Sequence, residues 1–284
     1  MPTFTGKTFS SFYKNILGID QSSNTGVDSS VRTVQDGAGN NSVIGISDDN
    51  LFVKPINDNT TETFNVFTKD SNQVFRVDTT DSKVLVGASQ TSANTQYQTF
   101  GILGSIGSWS TAVADTHYAV PFGGMPGVTT TIGSYAMGSS TSSSFNDTNP
   151  ATSLTISATA MDIVTTYWYV MDDITIDAVK WFHGADDATG DTTAAHLMAY
   201  TVDIANGSTS GDLSSGTVVA GYDATGGGGD STKITNAGYE QIYYQQLPIV
   251  SADVDAGKVI LFTFASDTVN SDYSINATVK YHIR

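Results

Sequence analysis

The chain has 284 residues, a formal net charge of −16 and no cysteine, so disulfides, thiolate metal sites and a cysteine nucleophile are excluded. Charge is unevenly placed: residues 1–90 hold seven Lys/Arg against ten Asp/Glu, and residues 91–284 hold five against eighteen. No basic residue lies between Lys83 and Lys180, which argues against nucleic acid as a partner of that segment, since a phosphate backbone must be neutralised by cations.

Glutamate is confined to Glu62 and Glu240, while Ser, Thr, Gly, Asn and Asp abound. Good helix formers are scarce and turn formers common, and aromatic and β-branched residues carry the apolar content. This predicts a mostly β protein: a short-stranded N-terminal attachment or shaft region, then a C-terminal jelly-roll-like β-sandwich.

The first twenty residues contain no apolar run long enough for a signal peptide or a membrane span, so a soluble chain made in the cytosol, without a membrane span, is expected. A short helix is predicted over Ser10 to Leu17, capped by Ser10 and ended by Gly18. Residues 20–42 are turn-rich around Val31–Val34. Between residues 43 and 90 the apolar residues alternate in runs of four or five: Val43–Ile46, Leu51–Pro55, Phe64–Thr68, Val74–Val77 and Lys83–Val86.

The stretch "VFRVDTTDSKVLVGASQT", residues 74–91, reads as a hairpin with a polar turn at 79–82. Such a hairpin cannot hold itself together in water, and the region around it is thin in large apolar residues. Val74, Phe75, Val77, Val84, Leu85 and Val86 are therefore expected to pack against the same residues of sister subunits. A flexible polar leader is the competing reading of residues 43–90.

From about Gln98 the strands lengthen, after a loop-like stretch at 123–150. Eight are predicted: Leu154–Ala158, Ile163–Met171, Ile174–Phe182, Ala195–Ala205, Gly216–Tyr222, Tyr239–Leu247, Lys258–Phe264 and Tyr273–Ile283. Their spacing fits a two-sheet sandwich whose core draws on Trp168, Trp181, Ile242, Tyr244, Phe262 and Phe264 among others. Three segments follow: 1–42, an N-terminal segment with a short helix, which the resemblance described below implies is an anchor; 43–97, the short-stranded oligomerisation region; and 98–284, the sandwich.

No phosphate loop, zinc helix or nucleophile elbow is present. Asp186, Asp187 and Asp191 share the turn "HGADDATGD", where crowded hard oxygens suit Ca²⁺. The spacing does not match an EF-hand, and an ordinary solvated turn is the alternative. The four histidines, His117, His183, His196 and His282, are too far apart in sequence to form a local metal motif. No other cofactor and no enzymatic activity are expected. In "TTYWYVM" and "EQIYYQQ" alternate aromatics face opposite ways, one set toward the core and the other toward a subunit interface or a sugar.

The segment "TFTGKTFSSFYKNILGIDQSSNTGVDSSVRTVQDGAGNNS" resembles the N-terminal part of structural proteins from tailed bacteriophages, notably marine ones. "VFRVDTTDSKVLVGASQTSANTQYQTFG" is similar to the segment such proteins carry next, before a variable C-terminal domain. The resemblance covers about the first 100 residues. It implies a virion component synthesised in the host cytoplasm, commonly a trimeric fiber or a capsid decoration subunit. Phe4, Phe9, Phe12, Tyr13, Ile16 and Leu17 would then anchor it to other virion proteins, and the C-terminal domain would face outward, where a host-surface glycan or receptor is a further possible partner.

Overall fold

The computed structural model describes residues 13–23, 26–103, 116–123, 125–126, 150–155, 163–186, 189–205, 211–221, 234–238, 240–267 and 272–284. The chain is mostly β, with several antiparallel sheets. It divides into two compact units, Met1–Ala93 and Asn94–Arg284.

The first unit holds two four-stranded antiparallel sheets. One comprises β1 (Leu17–Ile19), β2 (Arg32–Asp36), β3 (Asn41–Ile46) and β4 (Leu51–Val53), paired in that order. The other comprises β5 (Phe64–Phe67), β6 (Gln73–Asp78), β7 (Lys83–Val86) and β8 (Thr91–Ser92). The alternating runs predicted between residues 43 and 90 all form strands.

The helix expected over Ser10–Leu17 does not form in the described part of that span. Tyr13–Asn15 make a single 3-10 turn, closed by the Ile16 N–H donating to the Tyr13 carbonyl at 3.0 Å. Leu17, Gly18 and Ile19 instead pair with Asp36, Gln35 and Val34. Eight residues supply too few internal bonds to offset helix nucleation, whereas the strand gains a ladder partner at once. β2 and β3 also pair across residues 42 and 43, so the first unit is not divided there.

The turns are set by aspartates. Asp36 Oδ1 accepts the N–H groups of Ala38 at 2.8 Å and Asn40 at 2.9 Å, while Gly39 takes a positive φ of 85° that suits glycine. Asp78, itself buried, accepts from the Thr80 and Asp81 N–H groups at 2.9 and 3.0 Å and so closes the β6–β7 hairpin.

The second unit is built on two sheets. The first joins β10 (Tyr118–Val120), β19 (Lys258–Ser266), β14 (Thr192–Val202) and β15 (Leu213–Ala220), with β12 (Trp168–Tyr169) on β19 and β16 (Ile234–Thr235) on β14. The second joins β11 (Met125–Pro126), β9 (Thr95–Leu103), β20 (Asp272–Ile283), β13 (Ile174–Asp186) and β17 (Gln241–Leu247), with β18 (Asp253–Val254) on β13. β9 crosses residues 97 and 98 and pairs with β20, so it belongs to this unit.

The inner faces of these sheets share one apolar core. Trp181 and Val179 of β13, Ile275 and Val279 of β20 and Phe100 of β9 meet Phe262 and Phe264 of β19 and Leu197 of β14. The Trp181 and Phe264 rings stand edge-on at 5.7 Å, and Phe100 stacks on Phe262 at 6.1 Å.

Alternation between core and solvent, expected for "KVILFTFAS", is not what β19 shows: Val259 through Ser266 are all buried. Its second face lies under another cluster that includes Ile163, Met198, Tyr200, Leu213 and Leu261. Residues 150–154 help to cover this face. Leu154 exchanges both backbone hydrogen bonds with Leu213, and the Tyr200 hydroxyl donates to the Ala151 carbonyl at 2.8 Å. Gly216 is needed here because a Cβ would run into the Tyr200 ring.

Nor does Ile163–Met171 form one strand. The buried Thr166 hydroxyl donates back to the Ile163 carbonyl at 2.6 Å, holding Val164–Thr166 in a 3-10 turn, and only Trp168–Tyr169 joins a sheet. No helix among the described residues is long and apolar enough to cross a membrane.

Candidate functional site

Register places the hairpin residues on two opposite faces. Phe64, Val77 and Val84 form one row across β5, β6 and β7, and Val66, Phe75 and Val86 form the next. Paired residues share a face, so these six make one continuous apolar surface. The Phe64 and Phe75 rings meet edge-on at 6.0 Å. Val74 and Leu85 alternate out of these rows; Leu85 lies in the row of Asn65, Arg76 and Ser92. The six hairpin residues singled out from sequence therefore split four and two, and Phe64 and Val66 complete the apolar face.

No apolar cluster covers that face among the described residues. Leu85, at 7% exposure, is the one buried large hydrophobic described in the first unit, while Phe64, Val66 and Val86 are exposed and Phe75, Val77 and Val84 half-buried. The sheet of β1–β4 repeats the pattern. Ile19 and Val34 pair, Ile46 pairs with Leu51, and Ile44 pairs with Val53, all on one side. Leu17 and Leu51 stand 70% and 72% exposed. The opposite side of this sheet carries a groove of 320 Å³ lined by Val31, Val43, Phe52, Pro55 and Ile56, among others.

Of the residues expected to anchor the chain, Phe4, Phe9 and Phe12 lie outside the described residues. Tyr13 is half-buried in the 3-10 turn, and its carbonyl lies so close over Gly37 that a Cβ there would collide. Ile16 and Leu17 are exposed.

In the acidic turn, Asp187 lies outside the described residues and Asp186 ends β13. Asp191 is nine-tenths buried. Its Oδ2 accepts the Tyr273 hydroxyl at 3.1 Å, and Ser266 Oγ is 3.1 Å from the same phenol. Asn236 reaches this phenol at 3.4 Å and bonds His183 Nε2 at 2.9 Å through its Oδ1. This is a buried polar network tying β13, β14, β19 and β20 together. Among the described residues no group of three or more acidic or imidazole side chains is placed to hold a metal ion.

All four histidines are buried. His183 stacks between Trp181 at 4.8 Å and Tyr243 at 5.0 Å, and burial pulls its pKa down to about 4 against a smaller opposing effect of the Asn236 bond. Because Asn236 Oδ1 only accepts, His183 Nε2 carries the proton. His117 and His196 meet edge-on at 4.9 Å, and burial, then the neighbouring His196, holds His117 well below the ordinary imidazole range. His282 Nδ1 lies 3.0 and 3.1 Å from the two Asp177 carboxylate oxygens. Asp177 is the extra residue of a β-bulge between Ile176 and Ala178, and the bulge turns its side chain toward His282. None of these pairings is readable from sequence spacing; each depends on which strands become neighbours.

The outer face of the second sheet is different in kind. Tyr244, Phe182 and Asn276 form one row across β17, β13 and β20. Gln246, Lys180, Thr278 and Thr99 form the next, reaching β9, and Ile242, Gly184 and Ser274 form the row on the other side. The Phe182 and Tyr244 rings lie 4.9 Å apart and are both about half exposed, and Ile242 is 78% exposed. Ile242 and Tyr244, expected in the core, are exposed instead, as is Tyr169, while Tyr243 is drawn in against His183.

Neither a protein-family model nor a curated protein sequence matches this chain.

Proposed function

We infer that the chain is a non-enzymatic structural subunit of a tailed-bacteriophage particle, an oligomeric fiber-type protein, most simply a homotrimer. The observation that carries this reading is the coreless first unit. Two four-stranded sheets each present an apolar face of exposed and half-buried side chains, with no buried apolar cluster on it among the described residues. Isolated sheets of this size need further burial to be stable, and identical subunits around a symmetry axis supply it. The row-forming residues Phe64, Val66, Phe75, Val77, Val84 and Val86 are then the contact between sister subunits, and the exposed Ile16 and Leu17 belong to the attachment region. The resemblance of the first hundred residues to phage structural proteins points the same way.

The second unit closes its own core and is read as a jelly-roll-like sandwich, the part the particle displays. Its buried histidines serve packing, and a structural role needs no catalytic centre. The direct test is localisation. Antibody raised against the chain should label purified phage particles at a fixed position in electron micrographs; its absence from particles that infect normally would refute the reading. Incubation with a panel of polysaccharides should release no reducing ends.

A further inference from the structure

We propose that the outer face of the β9–β20–β13–β17 sheet binds an acidic polysaccharide. The inference rests on reading the second unit as the displayed part of the subunit, but it concerns this face alone.

Three features of the face converge. Phe182 and Tyr244 offer a half-exposed aromatic pair at 4.9 Å, a surface on which the C–H face of a pyranose ring can lie. Around it stand Asn276, Gln246, Ser274, Thr278 and Thr99, amide and hydroxyl groups able to meet ring hydroxyls. Gly184 lets the Ser274 hydroxyl lie close over the sheet beside Ile242, where a Cβ would come within 2.7 Å of Ser274 Oγ.

Charge selects the class of sugar. After residue 90 the chain has only five cations against eighteen acids, yet Lys180 and Lys280 sit diagonally on adjacent strands of this one face. Neither forms an ion pair among the described residues, whereas Arg284 is held by Asp253 and Asp255. Of the acids on this face, Asp177 is engaged by His282, and the paired Asp186 and Asp272 lie in the row beyond Gly184 and Ser274, at the end away from the two lysines. Two uncommitted cations beside an aromatic pair, in an otherwise acidic protein, complement carboxylates on a sugar chain.

A protein partner fits less well. Protein interfaces have an apolar centre and are depleted in lysine, while here the apolar residues, Ile242, Tyr244 and Phe182 with Tyr97 beside Lys280, are set within polar rows. The open pleated surface, about 14 Å across four strands, suits a linear polymer better than a small molecule, which favours a concave pocket.

The test is titration of the full-length protein with polygalacturonate and, separately, with neutral dextran of similar length. Binding to polygalacturonate and none to dextran is expected, with affinity falling as salt rises from about 50 to about 500 mM. The pair Phe182→Ala with Tyr244→Ala should weaken binding about tenfold, and Lys180→Gln with Lys280→Gln should weaken it and flatten its salt dependence. If the aromatic variant fails to fold, the lysine pair decides alone. No binding to polygalacturonate, equal binding to dextran, or binding indifferent to the lysine pair overturns the proposal. So does a loss of oligomer mass on substituting Tyr244, which would make the face a subunit contact. Failure here leaves the oligomer mass untouched, so the two readings fail separately.

Discussion

At the residue scale, burial of ionisable side chains makes the second unit sensitive to acid. His183 keeps its neutral form down to about pH 4, whereas an unfolded chain protonates it near 6.5. Its folded pKa is depressed, so the stabilising difference is full above 6.5 and is lost as pH falls toward 4, because the unfolded state then binds the extra proton. For His183 alone the difference is about 3 kcal/mol. Thermal melting followed between pH 7 and pH 4 should show the second unit losing stability steadily. His183→Gln, which keeps an amide donor for Asn236, should make that decline shallower; an unchanged slope would show that the histidine carries none of it. Trp181 tests the core more bluntly. Fully buried against Phe262 and Phe264, its truncation to alanine should cost about 3–5 kcal/mol, read as a lower melting temperature.

At the element scale, what could be read from sequence was what period two controls. The strands between residues 43 and 86 and the long strands from Ile174 onward appear where alternation or apolar runs place them. The helix over Ser10–Leu17 did not, because its apolar spacing fits a strand as well, and pairing with Val34–Asp36 decided the matter. "KVILFTFAS" was misread because a strand covered on both faces and a half-exposed one differ only in what lies behind them. The candidate surfaces needed register. Val77 and Leu85 sound equivalent in the sequence but point to opposite faces of the hairpin. This sharpens the mutational test. Val77→Ser with Val84→Ser, both on the apolar face, should shift the oligomer toward monomer at micromolar concentration while the second unit melts unchanged. Asp78→Ala should loosen the same hairpin through its turn, by about 1–3 kcal/mol, since two N–H groups lose their acceptor. Backbone amide exchange across Gln73–Val86 would report it.

At the scale of the whole molecule, the contrast between the two units dominates. Asn94–Arg284 buries an aromatic core between two sheets and covers one of them a second time. Met1–Ala93 also pairs its strands into sheets but leaves their apolar faces exposed or half-buried among the described residues. On the proposed reading, the chain assembles through the open unit. The most direct test is the mass of the full-length protein in solution at micromolar concentration, by sedimentation equilibrium or native mass spectrometry. A single species at three times the chain mass, reduced to the chain mass by Val77→Ser with Val84→Ser, is the expected result. A stable monomer with a protected, cooperatively melting first unit would contradict it.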